Sequence, residues 1–494
     1  MPFAEIYRNG EPDFTSNSMG FFSTGAALVD LDRDGERDIV VSNGNDMSPQ
    51  SVVIHRNQFD GQFWPRPDWY AEDLDYHGGL SVGDVNGDGW VDVAVTVMFG
   101  RDLMAEGGGV KIYLNRQGTL EARPSFRTPE GRGYLALDCA LGDVDADGDL
   151  DLAVAVLDDG PGKVPIDEWN DPFFDGAPVH RPGSARIYLN RSGAFEPTPS
   201  WVSEEGVMAG DVLLTDVDQD GWMDLVAAGT RTQVFHGRPT GTDVVPFART
   251  PGWASADAHA FSYSVDAGRI GPGASLSLAV SSGCLVPPCK SRFEVYRPAE
   301  GTAPTWSHPA ELSSKLLLAD LNGDEHLDMI AGQWGSEAEG APLWIFSGSP
   351  SGLSAAPPFE FRTRTVQEGL AVADLRKFGL CERSYALTAD APRAVITLPE
   401  RRIDALREVR RDGEIVPPTG YAWAPDDGWI SVTPPLRSGE RVEVHYVASS
   451  RLDVFLANYH NYAPWVGNMI FYSRLYTTCS TDVQSGAPRG QEGE

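Results

Sequence analysis

Hydrophobic residues in this chain come in short bursts rather than in long helical stripes. Leu80-Ser81-Val82-Gly83 is followed, across a polar loop, by Val93-Ala94-Val95-Thr96-Val97 and later by Lys111-Ile112-Tyr113-Leu114-Asn115. Arg186-Ile187-Tyr188-Leu189-Asn190 repeats the last of these. Short runs rich in Val, Ile and Tyr, bounded by Gly, Asp and Asn, read as strands. The polar loop between the first two strands recurs almost unchanged. It is Asp30 to Asp38, Asp84 to Asp92, Asp143 to Asp151, Asp216 to Asp224 and Asp320 to Asp328. Each copy puts oxygen side chains at positions 1, 3, 5 and 9, the arrangement by which a chain wraps a hard cation that wants about six to eight oxygens. Four copies carry Gly at position 6, where such a loop turns sharply.

The interval from Asp216 to Asp320 is about twice the others, so a degenerate copy is expected between them. Gly268 to Val280 supplies it, with Arg269 at position 1, Ser277 at position 9 and no carboxylate left. A seventh copy starts at Ala373-Asp374-Leu375 and resumes at Arg451-Leu452-Asp453. Each copy therefore predicts four short strands in roughly 50 residues, the period of a propeller blade. A lone blade cannot bury both faces, so the copies must stack around one core. The predicted fold is all-β: a seven-bladed β-propeller with a small β-sandwich-like insertion in the last blade.

The phrase Gly83-Asp84-Val85-Asn86-Gly87-Asp88-Gly89-Trp90-Val91-Asp92-Val93-Ala94-Val95 resembles the FG-GAP (VCBS) repeat of bacterial surface proteins and of the integrin α-chain head. The resemblance covers residues 14–380 and about 450–476. It implies seven blades, Ca2+ in the hairpin loops of one face (about five sites), and partners on the opposite face. Carried over residue by residue, the ligands are Asp30, Asp32, Asp34 and Asp38; Asp84, Asn86, Asp88 and Asp92; Asp143, Asp145, Asp147 and Asp151; Asp216, Asp218, Asp220 and Asp224; and Asp320, Asn322, Asp324 and Asp328. The position-7 carbonyls of Glu36, Trp90, Asp149, Trp222 and His326 complete the sets. Glu325 replaces the position-6 glycine of the last loop, so that site is expected to be the weakest. In the degenerate copy, Arg269 is expected to stand in for the cation.

Residues 381–449 break the seventh repeat and are nearly balanced in charge. Ala394 to Leu398, an Asp412-Gly413 turn, Trp429 to Val432 and Arg441 to Tyr446 read as a small separate β domain inserted at a loop tip. It serves either as an accessory docking domain or as passive decoration. The expected division is thus 1–380 for most of the propeller, 381–449 for the insertion, 450–479 for completion of blade 7 and 480–494 for a disordered tail.

Net charge is −32 over 494 residues. Bound cations neutralise part of it; the rest repels nucleic acid and anionic membranes. No apolar run is long enough to span a bilayer, so direct membrane insertion is not expected. Of five cysteines, Cys284 and Cys289 suit a small loop-closing disulfide, Cys381 and Cys479 suit a long-range pair, and Cys139 suits a core position. Disulfides and calcium loops fit an extracellular, cell-surface or periplasmic setting. Because Met1-Pro2-Phe3 opens no signal peptide, the sequence reads as a processed or truncated form of an exported protein.

Enzyme signatures such as His-Glu-x-x-His, Gly-x-Ser-x-Gly and the Walker loop are absent from the sequence. By propeller geometry the loops after the second strands emerge opposite the cation loops. They hold Asp102, Glu106, Asp167, Glu168, Trp169, Asn170, Asp171, Trp334, Glu337, Tyr459, His460, Tyr462 and Trp465. Tyr76, His77 and Tyr134 precede first strands on the same side. Aromatics among carboxylates suit stacking on sugars or a protein hot spot. The candidate ligand residues are Tyr76, His77, Trp169, Trp334, Tyr459, His460, Tyr462 and Trp465. The leading function is a non-catalytic, calcium-stabilised module that binds a glycan or protein. The alternative is a polysaccharide lyase or hydrolase using Asp167, Glu168 or Asp171 with His77 or His460. A structural subunit of a larger assembly is a third reading, and the oligomeric state is left open.

Overall fold

The computed structural model describes residues 1–17, 20–99, 108–128, 134–164, 180–204, 207–241, 244–259, 261–273, 275–283, 291–335, 340–458, 467–475 and 484–485. Among them, seven antiparallel sheets share one plan of four strands side by side, sequential in six of them. The first is Ser23–Val29, Asp38–Asn43, Val53–His55 and Trp69–Tyr70. The second is Tyr76–Gly83, Asp92–Phe99, Gly109–Tyr113 and Phe126–Arg127. The third carries one extra strand, His180–Pro182, on the long Asp151–Val164 strand.

The innermost strands make the ring. Ser23–Val29, Tyr76–Gly83, Tyr134–Gly142, Asp211–Thr215, Phe261–Gly268, Ser313–Ala319 and Gln367–Ala373 touch in turn, and the last touches the first. This is a β-propeller, and each sheet is one blade. Both faces of a blade pack on neighbours, which is why the second strands are apolar throughout rather than alternating. Val93, Ala94, Val95 and Val97 are all buried. The aromatic that ends the third strand recurs as Tyr113, Tyr188, Phe235, Tyr296, Phe346 and Phe471, each buried between blades.

The seventh blade uses both ends of the chain. Gln367–Ala373 pairs with Asp453–Asn458, which pairs with Met469–Phe471, and the outer strand is the N-terminal Phe14–Thr15. Arg474 of the C-terminal side binds Asp13, and the buried Tyr7 hydroxyl donates to the Leu452 carbonyl at 2.8 Å. Closure by the first strand was not foreseen, because a two-residue strand carries no periodicity.

Between the two parts of that blade, Leu380–Thr388, Ile403–Arg411, Glu414–Ile415 and Arg441–Ser449 form one sheet. Arg393–Thr397, Tyr421–Ala424 and Trp429–Leu436 form a second. Ile396, Val409, Ile430, Val444 and Tyr446 belong to a core between them. Asp412 and Gly413 have φ of 50° and 86°, the left-handed pair that a tight hairpin turn requires. The segment is nevertheless not detached. Val395, Ala422, Ala424 and Trp429 belong to the core of the third and fourth blades. Gln484–Ser485, within the expected tail, runs parallel to Leu380–Thr388 as a further strand; the rest of that tail lies outside the described residues.

Cys139 is a buried free thiol, as its strand position predicts. Cys381 is disulfide-bonded. Cys479, its expected partner, lies outside the described residues, as do Cys284 and Cys289.

Candidate metal loops and channel

The five acidic loops adopt one backbone. Position 6 is left-handed in all of them, with φ of 87° at Gly35, 87° at Gly89, 97° at Gly148, 93° at Gly221 and 67° at Glu325. Position 4 is left-handed too, even where it is not glycine: Arg33, Ala146 and Gln219 have φ of 59°, 61° and 63°. Two turns of this kind fold the loop back so that its carboxylates point inward.

Hydrogen bonds from the backbone fix each acid. The position-6 N–H donates to the position-1 carboxylate, as in Gly89 to Asp84 at 2.7 Å and Gly221 to Asp216 at 2.9 Å. The position-7 N–H donates to position 5, as in Trp90 to Asp88 and Trp222 to Asp220, both at 2.9 Å. Position 9 has a further job. Asp92 accepts from Val85 N–H at 3.0 Å and from Asn115 N–H at 2.7 Å. Asp151, Asp224 and Asp328 make the same two bonds. The ninth residue thus ties the loop to the end of the third strand, whatever else it binds.

Oxygens remain over after these bonds. Asp30 Oδ1, Asp149 Oδ1 and Asp216 Oδ1 are buried without a hydrogen-bond partner. Ligand atoms of Asp30, Asp32 and Asp34, of Asp143, Asp145 and Asp151, and of Asp216, Asp218 and Asp220 lie within 4.8 Å of one another. The loops at 84–92 and 320–328 have Asn86 and Asn322 at position 3, so an amide oxygen replaces one carboxylate there. Burial pushes the carboxyls up, and neighbouring carboxylates add to it: Asp92 and Asp328 to about 7, Asp143 and Asp216 to about 8. Converging, desolvated carboxylates with unused buried lone pairs fit a hard divalent cation.

Individual loops differ in what else approaches. In the first, Arg56 binds Asp38 at 2.6 Å and Asp32 at 3.2 Å, and Lys377 binds Glu36 at 2.6 Å. In the fourth, His236 Nδ1 lies 3.3 Å from Asp218 and 3.5 Å from Asp224. In the fifth, Arg269 is an exposed residue. The guanidinium set into that loop belongs to Arg297, whose Nη2 donates to the Ile270 carbonyl at 2.8 Å. Arg56, His236 and Arg297 each directly follow or end a third strand, so a cation for the loop comes from that strand and not from position 1. In the seventh, Gly379 N–H donates to Asp374 at 2.6 Å and Leu375 N–H to Asp453 at 3.0 Å. The loop therefore keeps its register across the insertion, with Arg376 3.6 Å from Asp453.

The opposite face matches its sequence reading less well. His77 is 0% exposed. Its Nδ1 lies 2.8 Å from the Asn43 carbonyl and its Nε2 3.4 Å from Lys111 Nζ, itself paired with Asp73 and Asp75. Burial and the Lys111 charge push the imidazole down to about 4. Tyr76 is buried as well. Neither presents a surface to a partner, and His77 is out of reach of a substrate as acid or base. Their strand starts at Tyr76, and a bridge between Gly44 and His77 draws the segment inward. Trp334 is half-buried, its ring 5.0 Å from that of Tyr263. Asp102, Glu106, Asp167, Glu168, Trp169, Asn170, Asp171, Glu337, Tyr459, His460, Tyr462 and Trp465 lie outside the described residues, and so does the side chain of Tyr134.

A cavity of about 200 Å3 lies at the ring centre, lined by all seven innermost strands and by Arg401, Arg402, Asp426 and Asp427 of the insertion. Lys315 bridges Asp138 and Asp211 within it, and Arg401 pairs with Asp266. Burial pushes Glu368, beside Lys315 and Trp334, up to about 8. Sequence reasoning missed this cluster. Its signal was a charged residue inside an apolar first strand, at Asp138 and Lys315, or opening one, at Asp211.

The FG-GAP-like repeat family matches residues 8–95. Integrin alpha-7 of Homo sapiens is 37% identical over 89 residues, 17% of this chain and 8% of that protein. Integrin alpha-7 of Rattus norvegicus is 32% identical over 160 residues, 31% of this chain and 14% of that protein. The chain thus spans a small part of the length of the curated relatives it matches. Among solved structures, the Myceliophteria thermophila Cps50 (Swd1) β-propeller domain aligns with a TM-score of 0.41 and 9% identity, over 88% of this chain and 98% of that one. The V. cholerae biofilm matrix protein Bap1 aligns with a TM-score of 0.37 and 13% identity, over 91% and 72%. The chain carries FG-GAP-like repeat sequence and is similar to integrin alpha chains.

Proposed function

We propose that the protein is a non-catalytic, calcium-stabilised recognition module, working outside the cell or at its surface, that binds a protein or glycan through the face opposite its acidic loops. In this reading residues 381–449 form a separate domain, and the five acidic loops each hold Ca2+. The observation that carries it is the seating of the insertion. Arg37 of the first loop donates to the Ile403 carbonyl at 2.9 Å and pairs with Asp404 at 2.9 Å. Arg393 donates to the Gln219 carbonyl of the fourth loop at 3.2 Å. The cation-loop face is therefore partly taken by the chain itself, which leaves the other face for a partner. The similarity to integrin alpha chains supports a protein partner; Trp169, Trp334, Tyr459, His460, Tyr462 and Trp465 remain the candidate contacts.

Two experiments test the reading. Chelation should lower the melting temperature by many degrees and added Ca2+ should restore it; a curve indifferent to chelator removes the metal. Replacing Trp334, Tyr462 and Trp465 together by Ala should abolish binding on a panel of glycans and matrix proteins with the melting curve unchanged. Retained binding would move the contact surface to the insertion.

A further inference from the structure

The fourth acidic loop is unlike the others in facing an imidazole. The residue that follows the third strand differs among the five acidic blades: Arg56, Leu114, Leu189, His236 and Ser347 stand there. Of these, only His236 has a nitrogen lone pair to give to a metal. Its Nδ1 lies 3.3 Å from Asp218 Oδ2 and 3.5 Å from Asp224 Oδ1. Among the described residues it is the one imidazole grouped with two carboxylates closely enough to share an ion, the three ligand atoms lying within 4.8 Å of one another.

Backbone groups hold the donors in place. Asp218 Oδ1 accepts from Asp220 N–H at 3.1 Å, which leaves Oδ2 turned to His236. Asp224 accepts from Val217 N–H at 2.8 Å and from Gly237 N–H at 2.7 Å. The second of these bonds fixes the chain just after His236, and the buried Phe235 fixes it just before. Behind the ring stands Gly252. A Cβ there would run into His236 Cδ2 and lie 3.3 Å from Nε2, so the imidazole rests directly on the glycine. Asp216, on the same loop, is 2% exposed, and its Oδ1 is buried and used by no hydrogen bond. Its ligand atom lies within 4.8 Å of those of Asp218 and Asp220, so a further donor stands ready.

A four-coordinate ion of the zinc type keeps nitrogen and oxygen ligands at about 2.0–2.1 Å, which sets neighbouring donors about 3.3–3.4 Å apart. The two contacts of His236 have that spacing. Calcium is a hard ion that collects oxygens, whereas imidazole suits zinc and its first-row neighbours. We infer that the fourth loop is a site for a divalent transition ion, Zn2+ in particular, bound by Asp218, Asp224 and His236, with Asp216 or water completing the shell. As the ion binds, Nδ1 releases its proton to solvent and gives the ion its lone pair. This rests on the proposal that the acidic loops hold divalent cations and changes the ion for one of them. The propeller then carries two kinds of metal site: loops that offer oxygen alone, and one that offers nitrogen as well. Without an ion, the same contacts describe a protonated imidazole paired with two acids, and the experiment separates the two.

The test is Zn2+ binding by the full chain, stripped of metal and then saturated with Ca2+. Calorimetry and elemental analysis after gel filtration count the bound Zn2+. Co2+ serves as a visible probe, since a shell of nitrogen and oxygen donors at low coordination number gives it strong colour. The expected result is one Zn2+ per chain held against excess Ca2+, and a Co2+ absorption that added Zn2+ abolishes. His236→Asn sets an amide oxygen near where Nδ1 stood. It should weaken Zn2+ binding by more than the roughly 10–100-fold that loss of an outer-shell support costs, and leave the Ca2+-dependent rise in melting temperature in place. Gly252→Ala, which pushes the ring aside, should weaken Zn2+ by about tenfold. Failure of both Zn2+ and Ca2+ to bind would overturn the cation reading itself. Ca2+ binding with no Zn2+ retained against it would overturn this inference alone and leave His236 as an ion-pair partner of the acids. So would Zn2+ retained equally by the wild type and His236→Asn, which would place it on another histidine. The wild-type titration needs no variant to fold, and circular dichroism of each variant separates a lost site from a lost structure.

Discussion

Position 6 of the acidic loops gives a quantitative test of both the loop geometry and the seating of the insertion. Gly35 has φ of 87° and stands clear of its surroundings except for Lys377 Nζ, 3.2 Å from where a Cβ would lie. A flexible ammonium can move aside. Gly35→Ala should therefore cost only the left-handed backbone, about 1–2 kcal/mol, less about 0.4–1 kcal/mol regained by stiffening the unfolded chain. The net is about 1 kcal/mol. Gly221 has the same backbone, with φ of 93°, but its Cβ would lie 2.2 Å from Arg393 Cβ. That neighbour cannot yield by turning a rotamer. Its strand is held there by Ala394 N–H and Val395 N–H, both donating to the Gly221 carbonyl at 2.9 Å. Gly221→Ala should therefore add an overpacking cost of about 1–3 kcal/mol and total about 3 kcal/mol. The reverse change is available in the sixth loop. Glu325 has a φ of 67°, and Glu325→Gly should gain about 0.5–1 kcal/mol. Urea unfolding of all three variants in chelator isolates these terms from cation binding. Equal losses in Gly35→Ala and Gly221→Ala would mean that strand Arg393–Thr397 does not rest on the fourth loop. A loss in Glu325→Gly would refute the strain at position 6.

Two further outcomes concern the central cavity. Glu368 is pushed up to about 8 from an ordinary 4.5. A carboxyl raised in the folded state binds more protons there than unfolded, so it lowers stability as pH rises from about 4.5 to about 8 and adds nothing further above. Glu368→Gln should flatten the pH dependence of the melting temperature in that window; an unchanged slope assigns it to other groups. Lys315→Met leaves Asp138 and Asp211 facing each other uncompensated and should cost about 3–5 kcal/mol in urea unfolding, with Asp138→Asn and Asp211→Asn in the same chain restoring much of it. A loss under about 1 kcal/mol would mean that water screens the cluster.

The features legible in the sequence were those encoded locally and repeated. The loop Asp84 to Asp92 carries its own turn residues and acids, so its backbone followed from its letters, as did the Asp412-Gly413 turn. Register across the insertion was legible for the same reason: Asp374 and Asp453 keep positions 1 and 9 although the segment 381–449 lies between. What depended on surfaces meeting was not legible. Thr433 is unremarkable in sequence and meets the third loop only because the insertion folds back onto it. His77 was read as a loop residue because the strand after it looks to begin at Leu80. A shift in register between His77 and Leu80 lets the strand start earlier, and buries the ring. Arg297 was missed because the search for a substitute cation looked inside the fifth loop, at Arg269, when the third strand ends beside it.

These observations make the seven loops variants of one electrostatic problem. The ninth residue must stay acidic or be replaced by a neutral hydrogen-bonder, because it ties loop to strand: Asp92, Asp151, Asp224, Asp328 and Asp453 hold two backbone N–H groups each. A buried carboxylate so held needs a positive charge nearby whenever others converge on it. The second, third and sixth loops have Leu114, Leu189 and Ser347 after the third-strand aromatic, positions that supply no charge. The first and fourth have Arg56 and His236 there and carry part of the compensation themselves. The seventh, which keeps Asp374 and Asp453 but has Arg376 at position 3, carries a guanidinium in place of an acid; Arg451 lies alongside, over the Phe378 ring at 4.8 Å. The fifth removed the acids, with Ser277 at position 9, and needs only Arg297 to tie its carbonyl. A fixed guanidinium satisfies charge and geometry without regard to the surrounding ion concentration. The loops that kept all their acids did not take that solution, and the third kept the most acids under the tightest cover. Under the proposed cation binding, stability of the ring is tied to the external cation at some blades and independent of it at others, and the insertion meets the first, third and fourth loops.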